Sequence, residues 1–401
     1  MRCHPLLCVL SVVLDRQTPE SVNTLGRPVN IALRSGAVAS AAALTLLLSA
    51  CSPSNEDTAT TDATSGAPET SEAMTLSGTL NGAGASSQES AMEAWRAGFS
   101  ADNADVIVNY DPVGSGGGRT QFLDSATSFA GSDSLMDDTE YTLAVDRCDG
   151  DAGAIHVPMY ISPIAVIFNL PGIDSIKMTS DVIAQIFDGK ITSWDDAALA
   201  DINPDIELPS TTITMVHRAD ESGTTSNFTD YLAKASTMWP YEKSGDWPND
   251  LGESGPGTSA VVQIVQDTEG AIGYADASRA GELGTVALGV GDEWVPFSAE
   301  AAAAVVDASP LAEGANGAND LAYQLDRTTT ASGAYPLVLV SYHILCQQYD
   351  DADERALVTS FLKYVASPAG QEQAASAAGS SPISAGLSSE ITAILDEIAA
   401  G

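Results

Sequence analysis

Positive charge is what this sequence has least of. Sixteen Lys and Arg stand against 54 Asp and Glu in 401 residues, a formal charge of −38. So few cations cannot build a broad basic face, which excludes recognition of nucleic acid through its phosphate backbone. An anion, if bound, has to be met by donors aimed at it locally, not by net charge. Aromatic residues make up only 6%, and the four histidines (His4, His156, His217 and His343) are widely scattered. The five cysteines, Cys3, Cys8, Cys51, Cys148 and Cys346, show no CxxC or CxxH spacing, which argues against a metal site. After residue 50 no long apolar run follows, so the body is expected to be soluble.

Glycine is plentiful, at 34, and the length suffices for two lobes with sizeable cores. From Met74 onward, strand and helix patterns alternate. SQESAMEAWRAGFS carries Met92, Trp95 and Phe99 at helical spacing, and DVIVNYDPV follows as a strand. ISPIAVIFNL, TTITMVHR and YPLVLVSYHIL read as strands, whereas SDVIAQIFDGK, SGTTSNFTDYLAKA and ERALVTSFLKYVAS read as helices. Such alternation predicts an α/β protein with mostly parallel or mixed sheets.

The start of the chain reads as a leader. Arg34 is followed by AVASAAALTLLLSAC, an apolar run too short to span a bilayer permanently. It closes on Leu48-Ser49-Ala50-Cys51, which resembles a bacterial lipobox; cleavage before Cys51 and lipidation of its sulfur are expected, the alternative being an ordinary signal peptide with an incidental cysteine. Residues 1–28 precede this signal and point to translation starting near Val29, with residues 29–50 as the signal peptide. Removing residues 1–50 leaves 12 bases against 52 acids, net −40. Residues 51–73 are polar, acidic and poor in large apolar groups, the composition of a disordered tether. In an exported protein Cys148 and Cys346 form either one disulfide joining distant segments or two buried free thiols.

Three turns rich in glycine and hydroxyl groups lie between strand and helix patterns: Gly82-Ala83-Gly84-Ala85-Ser86-Ser87, Gly114-Ser115-Gly116-Gly117-Gly118 and Ser222-Gly223-Thr224-Thr225. Turns of this kind aim free backbone N–H groups and suit an oxyanion. Arg218 ends a strand as a cationic fork, Asp220 can orient it, and Ser222 and Thr224 add hydroxyls. Asp133, in Phe129-Ala130-Gly131-Ser132-Asp133, is a turn-forming acid or a selector: beside an anion a carboxylate repels, unless the ligand brings a proton.

GAGAS, VGSGGGRTQF, FAGSDS, GKITSWDD, HRADESGTTSNFTDYL and the run Glu269–Tyr274 together resemble the phosphate-binding proteins of phosphate-specific ABC transporters, in the family's order and over nearly all of residues 74–401. The resemblance implies a two-lobed α/β fold of the periplasmic-binding-protein type (type II), with two hinge crossings and the ligand in the inter-lobe cleft. It implies phosphate contacts at Ser86, Ser87, Ser115, Asp133, Arg218, Ser222, Gly223 and Thr224, with Asp220 orienting the arginine. Residues 74–160 and 332–401 become lobe 1, and 161–331 lobe 2. The implied partners are inorganic phosphate, the importer's permease subunits and, through Cys51, the membrane; no cofactor, metal or enzymatic step is implied, and a monomer outside the cytoplasm is expected. Two departures stand out: Ser86-Ser87 replaces a frequent Thr-Phe, and Glu221 replaces a frequent glycine and is expected to face solvent. Competing readings are a hydrolase built on Gly252-Glu253-Ser254-Gly255-Pro256 with His156 or His217 as base, a phosphatase, and a binder of another oxyanion such as sulfate. The alternating pattern opposes the first, the lack of a metal cluster or nucleophile the second, and Asp133 the third.

Overall fold

The structure is a computed structural model that describes residues 76–148, 152–312 and 316–401. The leader, Cys51 and the tether lie outside the described residues. The chain opens with β1 (Gly78–Gly84), α1 (Glu89–Asp102), β2 (Val106–Asp111), α2 (Ser115–Leu123), β3 (Phe129–Ser132) and α3 (Asp138–Arg147). A long strand, β4 (Ala154–Phe168), leads to β5 (Ser175–Met178), α4 (Ser180–Phe187), α5 (Ala197–Ala200), β6 (Thr214–Arg218), α6 (Gly223–Ala235), β7 (Glu253–Gly255), α7 (Gly257–Asp267) and β8 (Ala271–Asp276). Then come β9 (Gly284–Val290), β10 (Glu293–Val295), α8 (Ala299–Ala308), β11 (Val338–Cys346), α9 (Ala352–Ala366), α10 (Pro368–Ala378) and α11 (Ala385–Ala400).

Apolar spacing builds these elements. Met92, Trp95 and Phe99 form the buried face of α1. All fifteen residues of β4 and all nine of β11 are buried, the mark of strands covered on both faces. The sheet order is β2-β1-β3-β11-β4-β8-β6-β7, with β9 pairing β4, β5 and β10 to one side. β1 is parallel to β2 and β3, β11 is antiparallel to β3 and β4, and β4 is antiparallel to β8.

One strand serves both lobes. Ala154 to Pro163 of β4 match β11, whereas Ile164 to Phe168 match β8. Pro163 sits where the strand changes partner, a place that tolerates the missing N–H donor. Tyr160 faces Ser341 and Pro158 faces Tyr342, so Met159 is an extra, bulged residue on the crossing strand. A disulfide joins Cys148 to Cys346, whose Cα atoms are 5.3 Å apart across 198 residues of sequence. It pins the end of α3 to the end of β11.

The segment around Asp320 packs on β4 and α3. Leu321 N–H donates to the His156 carbonyl at 2.9 Å, and the Asp320 carboxylate accepts the His156 N–H at 2.8 Å and the Tyr141 hydroxyl at 2.6 Å. The cause is local: the buried His156 ring needs a buried polar partner, and Asp320 Oδ1 lies 2.9 Å from its Nδ1. No helix among the described residues is long and apolar enough to cross a membrane.

Candidate functional site

Each glycine turn sits where a strand ends and the next segment turns toward the cleft. β1 closes on Gly84, whose φ of 145° and contact with Gly131 (a Cβ would stand 1.9 Å from the Gly131 carbonyl oxygen) admit only glycine. Beyond it the Ser87 hydroxyl donates to Asp133 Oδ1 at 2.7 Å. The turn is braced from behind: the Tyr110 hydroxyl donates to the Ala85 carbonyl at 3.0 Å, Gln88 Nε2 donates to Tyr110 at 3.3 Å, and Gln88 Oε1 lies 3.0 Å from His343 Nε2. In the second turn Ser115 opens α2, and its hydroxyl oxygen accepts the Asp133 N–H at 3.1 Å.

Arg218, at the end of β6, is 3% exposed. Its Nε and Nη2 donate to the two oxygens of Asp220 at 2.9 and 2.5 Å, and the Gly257 N–H holds that carboxylate from the other side at 2.9 Å. The pair rests against the second turn of the other lobe: a Cβ on Gly114 would stand 2.3 Å from Asp220 Oδ2 and 3.4 Å from Arg218 Nη2. Ser222 caps α6, its hydroxyl oxygen accepting the Thr225 N–H at 3.2 Å. Thr224 Oγ1 donates to Asp133 Oδ2 at 3.1 Å, so hydroxyls from both lobes converge on one carboxylate.

The structure therefore brings Ser87, Ser115, Asp133, Gly223 and Thr224 into mutual contact, with Arg218 and Asp220 alongside. Ser86 is directed elsewhere: its hydroxyl oxygen accepts the Thr258 N–H at 3.1 Å and lies 3.0 Å from Thr258 Oγ1. Burial pushes the Asp133 carboxyl above its ordinary pKa, against the pull of the Ser87 and Thr224 hydroxyls and of Arg218.

Glu221 does not face solvent as expected. Its Oε1 lies 3.4 Å from Arg119 Nη2 of α2, its Oε2 is buried without a hydrogen bond among the described residues, and its carbonyl accepts the Gly116 N–H at 3.4 Å. Arg119, held by Glu140 at 2.8 Å and by Ser134 at 2.7 Å, draws Glu221 across the cleft. Sequence reasoning also missed Thr258 and Asn227. The Gly255-Pro256-Gly257-Thr258 turn opening α7 is of the same type as the three turns singled out, and was a usable signal. Asn227, one turn into α6, donates from Nδ2 to the carbonyls of Asp133 at 2.7 Å and Gly223 at 2.9 Å, a bond visible only in three dimensions.

The hydrolase reading finds no geometry. Ser254 is a strand residue of β7, His217 has its Nδ1 at 2.8 Å from the Arg218 carbonyl and its ring stacked on Trp247, and His156 Nε2 accepts the Met136 N–H at 3.0 Å. Among the described residues no group of three His, Cys, Asp or Glu side chains is arranged to hold a metal ion.

A family model described as the PBP superfamily domain matches residues 59–369. A phosphate-binding protein PstS of Xylella fastidiosa is 34% identical over 331 residues, covering 79% of this chain and 86% of that protein. Phosphate-binding protein PstS 2 of Mycobacterium tuberculosis is 32% identical over 354 residues, covering 84% and 92%. Among solved structures, a high-affinity periplasmic phosphate-binding protein (PfluDING) bound with phosphate superposes with a TM-score of 0.64 at 21% identity, over 79% of this chain and 93% of that one. The phosphate-bound structure of a putative phosphate ABC transporter substrate-binding protein from Clostridium perfringens gives a TM-score of 0.54 at 17% identity, over 75% and 98%. The chain thus belongs to the PBP superfamily and, within it, to the PstS family of phosphate-binding proteins, which bind and carry a substrate and are not enzymes.

Proposed function

We propose that this protein binds inorganic phosphate in the cleft between its lobes and delivers it to an ABC-type phosphate importer. The observation that carries the reading is Asp133: an acceptor-only carboxylate, gripped by Ser87 and Thr224 from opposite lobes, beside Arg218. Such a site favours an oxyanion that still holds a proton, and hydrogen phosphate does at neutral pH while sulfate does not. Ser87, Ser115, Ser222, Gly223 and Thr224 supply hydroxyl or backbone donors, Ser86 its N–H, and Arg218 the counter-charge with Asp220 fixing its plane.

Lobe 1 is assigned residues 74–160 and 332–401 and lobe 2 residues 161–331, the two meeting through contacts such as that of Asp320 with His156. The partner change at Pro163 supports one crossing there. Phosphate touches both lobes at once and so favours the closed form. The body is monomeric, lies outside the cytoplasm, and is tethered to the membrane through a lipid on Cys51. The loaded protein docks on the importer's permease subunits, and no bond of phosphate is broken.

Isothermal titration of ligand-stripped protein with phosphate and then sulfate tests the reading. One-to-one phosphate binding without sulfate heat is expected; sulfate binding of equal strength would reassign the cargo.

A further inference from the structure

Asp133 has a second face. Besides its hydrogen bonds to the cage, it forms part of the wall of a cavity of about 270 Å³, to which Asp230 and Lys234 of α6, Lys243, Arg327 and Tyr342 of β11 also contribute. Cations are scarce in a chain with 16 Lys and Arg, yet three of them line this one cavity. Their counter-charge is incomplete. Arg327 is buried and fixed: Nε donates to Asp230 at 3.0 Å, Nη1 to the carbonyls of Pro336 and Val338, and Nη2 to Asn227 Oδ1. Lys234 Nζ lies 2.9 Å from the same Asp230, so one carboxylate serves two cations. Lys243 has no carboxylate within ion-pair distance among the described residues. Burial and the neighbouring cations Arg327, Lys234 and Arg119 push its ammonium down, with Asp230 pulling the other way, which marks an under-neutralised spot. Lys243 is exposed as a residue, though its ammonium is crowded by its neighbours, and Lys234 retains 44% of its side-chain exposure, so both stand at the cavity mouth.

The molecule as a whole repels a divalent anion. Beyond roughly 8 Å, however, physiological salt screens that repulsion, and charges lining a recess set the field within it. We propose that this cavity is the route by which phosphate approaches the cleft, and that Lys243 and Lys234 speed its capture without being ligands in the closed complex. The proposal rests on the phosphate reading above.

Stopped-flow tryptophan fluorescence measures it, because Trp247 stacks at 4.8 Å on His217, the neighbour of Arg218. Phosphate is mixed with wild-type protein, Lys243→Gln and Lys243→Glu from low to high ionic strength. Lys363→Gln, on α9 and paired with Asp396 at 2.6 Å, serves as control for net charge. Association several-fold slower in Lys243→Gln and slower again in Lys243→Glu, a flattened salt dependence, and dissociation within about twofold of wild type are the expected results. Unchanged association rates, or a loss confined to dissociation, would overturn the steering role alone, as would an equal slowing in Lys363→Gln. A wild-type protein that gives no phosphate heat in the prior titration would overturn the function itself.

Discussion

A carboxylate that already accepts from Ser87 and Thr224, and whose pKa burial has raised, is poised to accept one more proton-bearing oxygen. Replacing it by an amide puts a donor where only acceptors stood. Asp133→Asn is expected to weaken phosphate binding about tenfold and to make sulfate binding measurable by titration. Absence of sulfate heat at high concentration would show that another group enforces the choice. Arg218 works by a different mechanism: its fork is held flat by Asp220, so the charge arrives already oriented. Arg218→Ala is expected to cost about 3 kcal/mol, on the order of a hundredfold in Kd, because a charge-assisted pair is lost in a closed site. Unaltered affinity would place Arg218 outside the ligand shell.

Between elements, the contact of α2 with the loop before α6 carries an ion pair that closes the cleft, Arg119 with Glu221. Glu221→Gln is expected to weaken phosphate binding by roughly two- to tenfold, since a partly buried pair of this length contributes about 1 kcal/mol; tighter binding would mean that Glu221 mainly repels the anion. At the end of β8, Asp276 is fully buried, its Oδ2 has no hydrogen-bond partner among the described residues, and burial pushes its carboxyl up to about 6 from 3.8. Between those values the folded state keeps a proton that the unfolded chain has lost, so stability falls as pH rises from about 4 through 6. Asp276→Asn is expected to gain on wild type over that range by about 3 kcal/mol, read from chemical denaturation at each pH; a pH-independent difference would contradict the cause given. The strands β1, β2, β6 and β11 and the helices α1, α4, α6 and α9 were legible because burial imposes their apolar spacing. Helix α3 was not read, since Ala144 is its only buried residue, although its capping box, Asp137 with Glu140, was visible in the sequence. The turns of the cage were legible for the same local reason, glycine beside hydroxyl. Glu221 was not, because it is placed by Arg119, more than a hundred residues away, while the turn of Thr258 carried the same signal and was passed over.

Across the whole molecule, the Cys148–Cys346 bond closes a loop of 198 residues that contains every element from β4 to α8. Cutting such a loop releases the unfolded chain far more than it disturbs the cleft. Replacing both cysteines by serine is expected to lower stability by about 2–5 kcal/mol in denaturant titration while leaving phosphate affinity within about twofold; a large affinity loss would mean that the bond also sets the lobe angle. Acidity is likewise a property of the whole, and it makes every local cation count. Closure itself is limited by a single atom. At Gly223 the lobes meet so closely that a methyl group would touch Ser115 Oγ at 2.3 Å and Asp133 Cβ at 2.6 Å, though the helix that carries it would accept alanine readily. That hydrogen is a latch clearance: Gly223→Ala would be a doorstop, a folded protein held ajar, with which any effect of closure on what the protein docks to can be read directly.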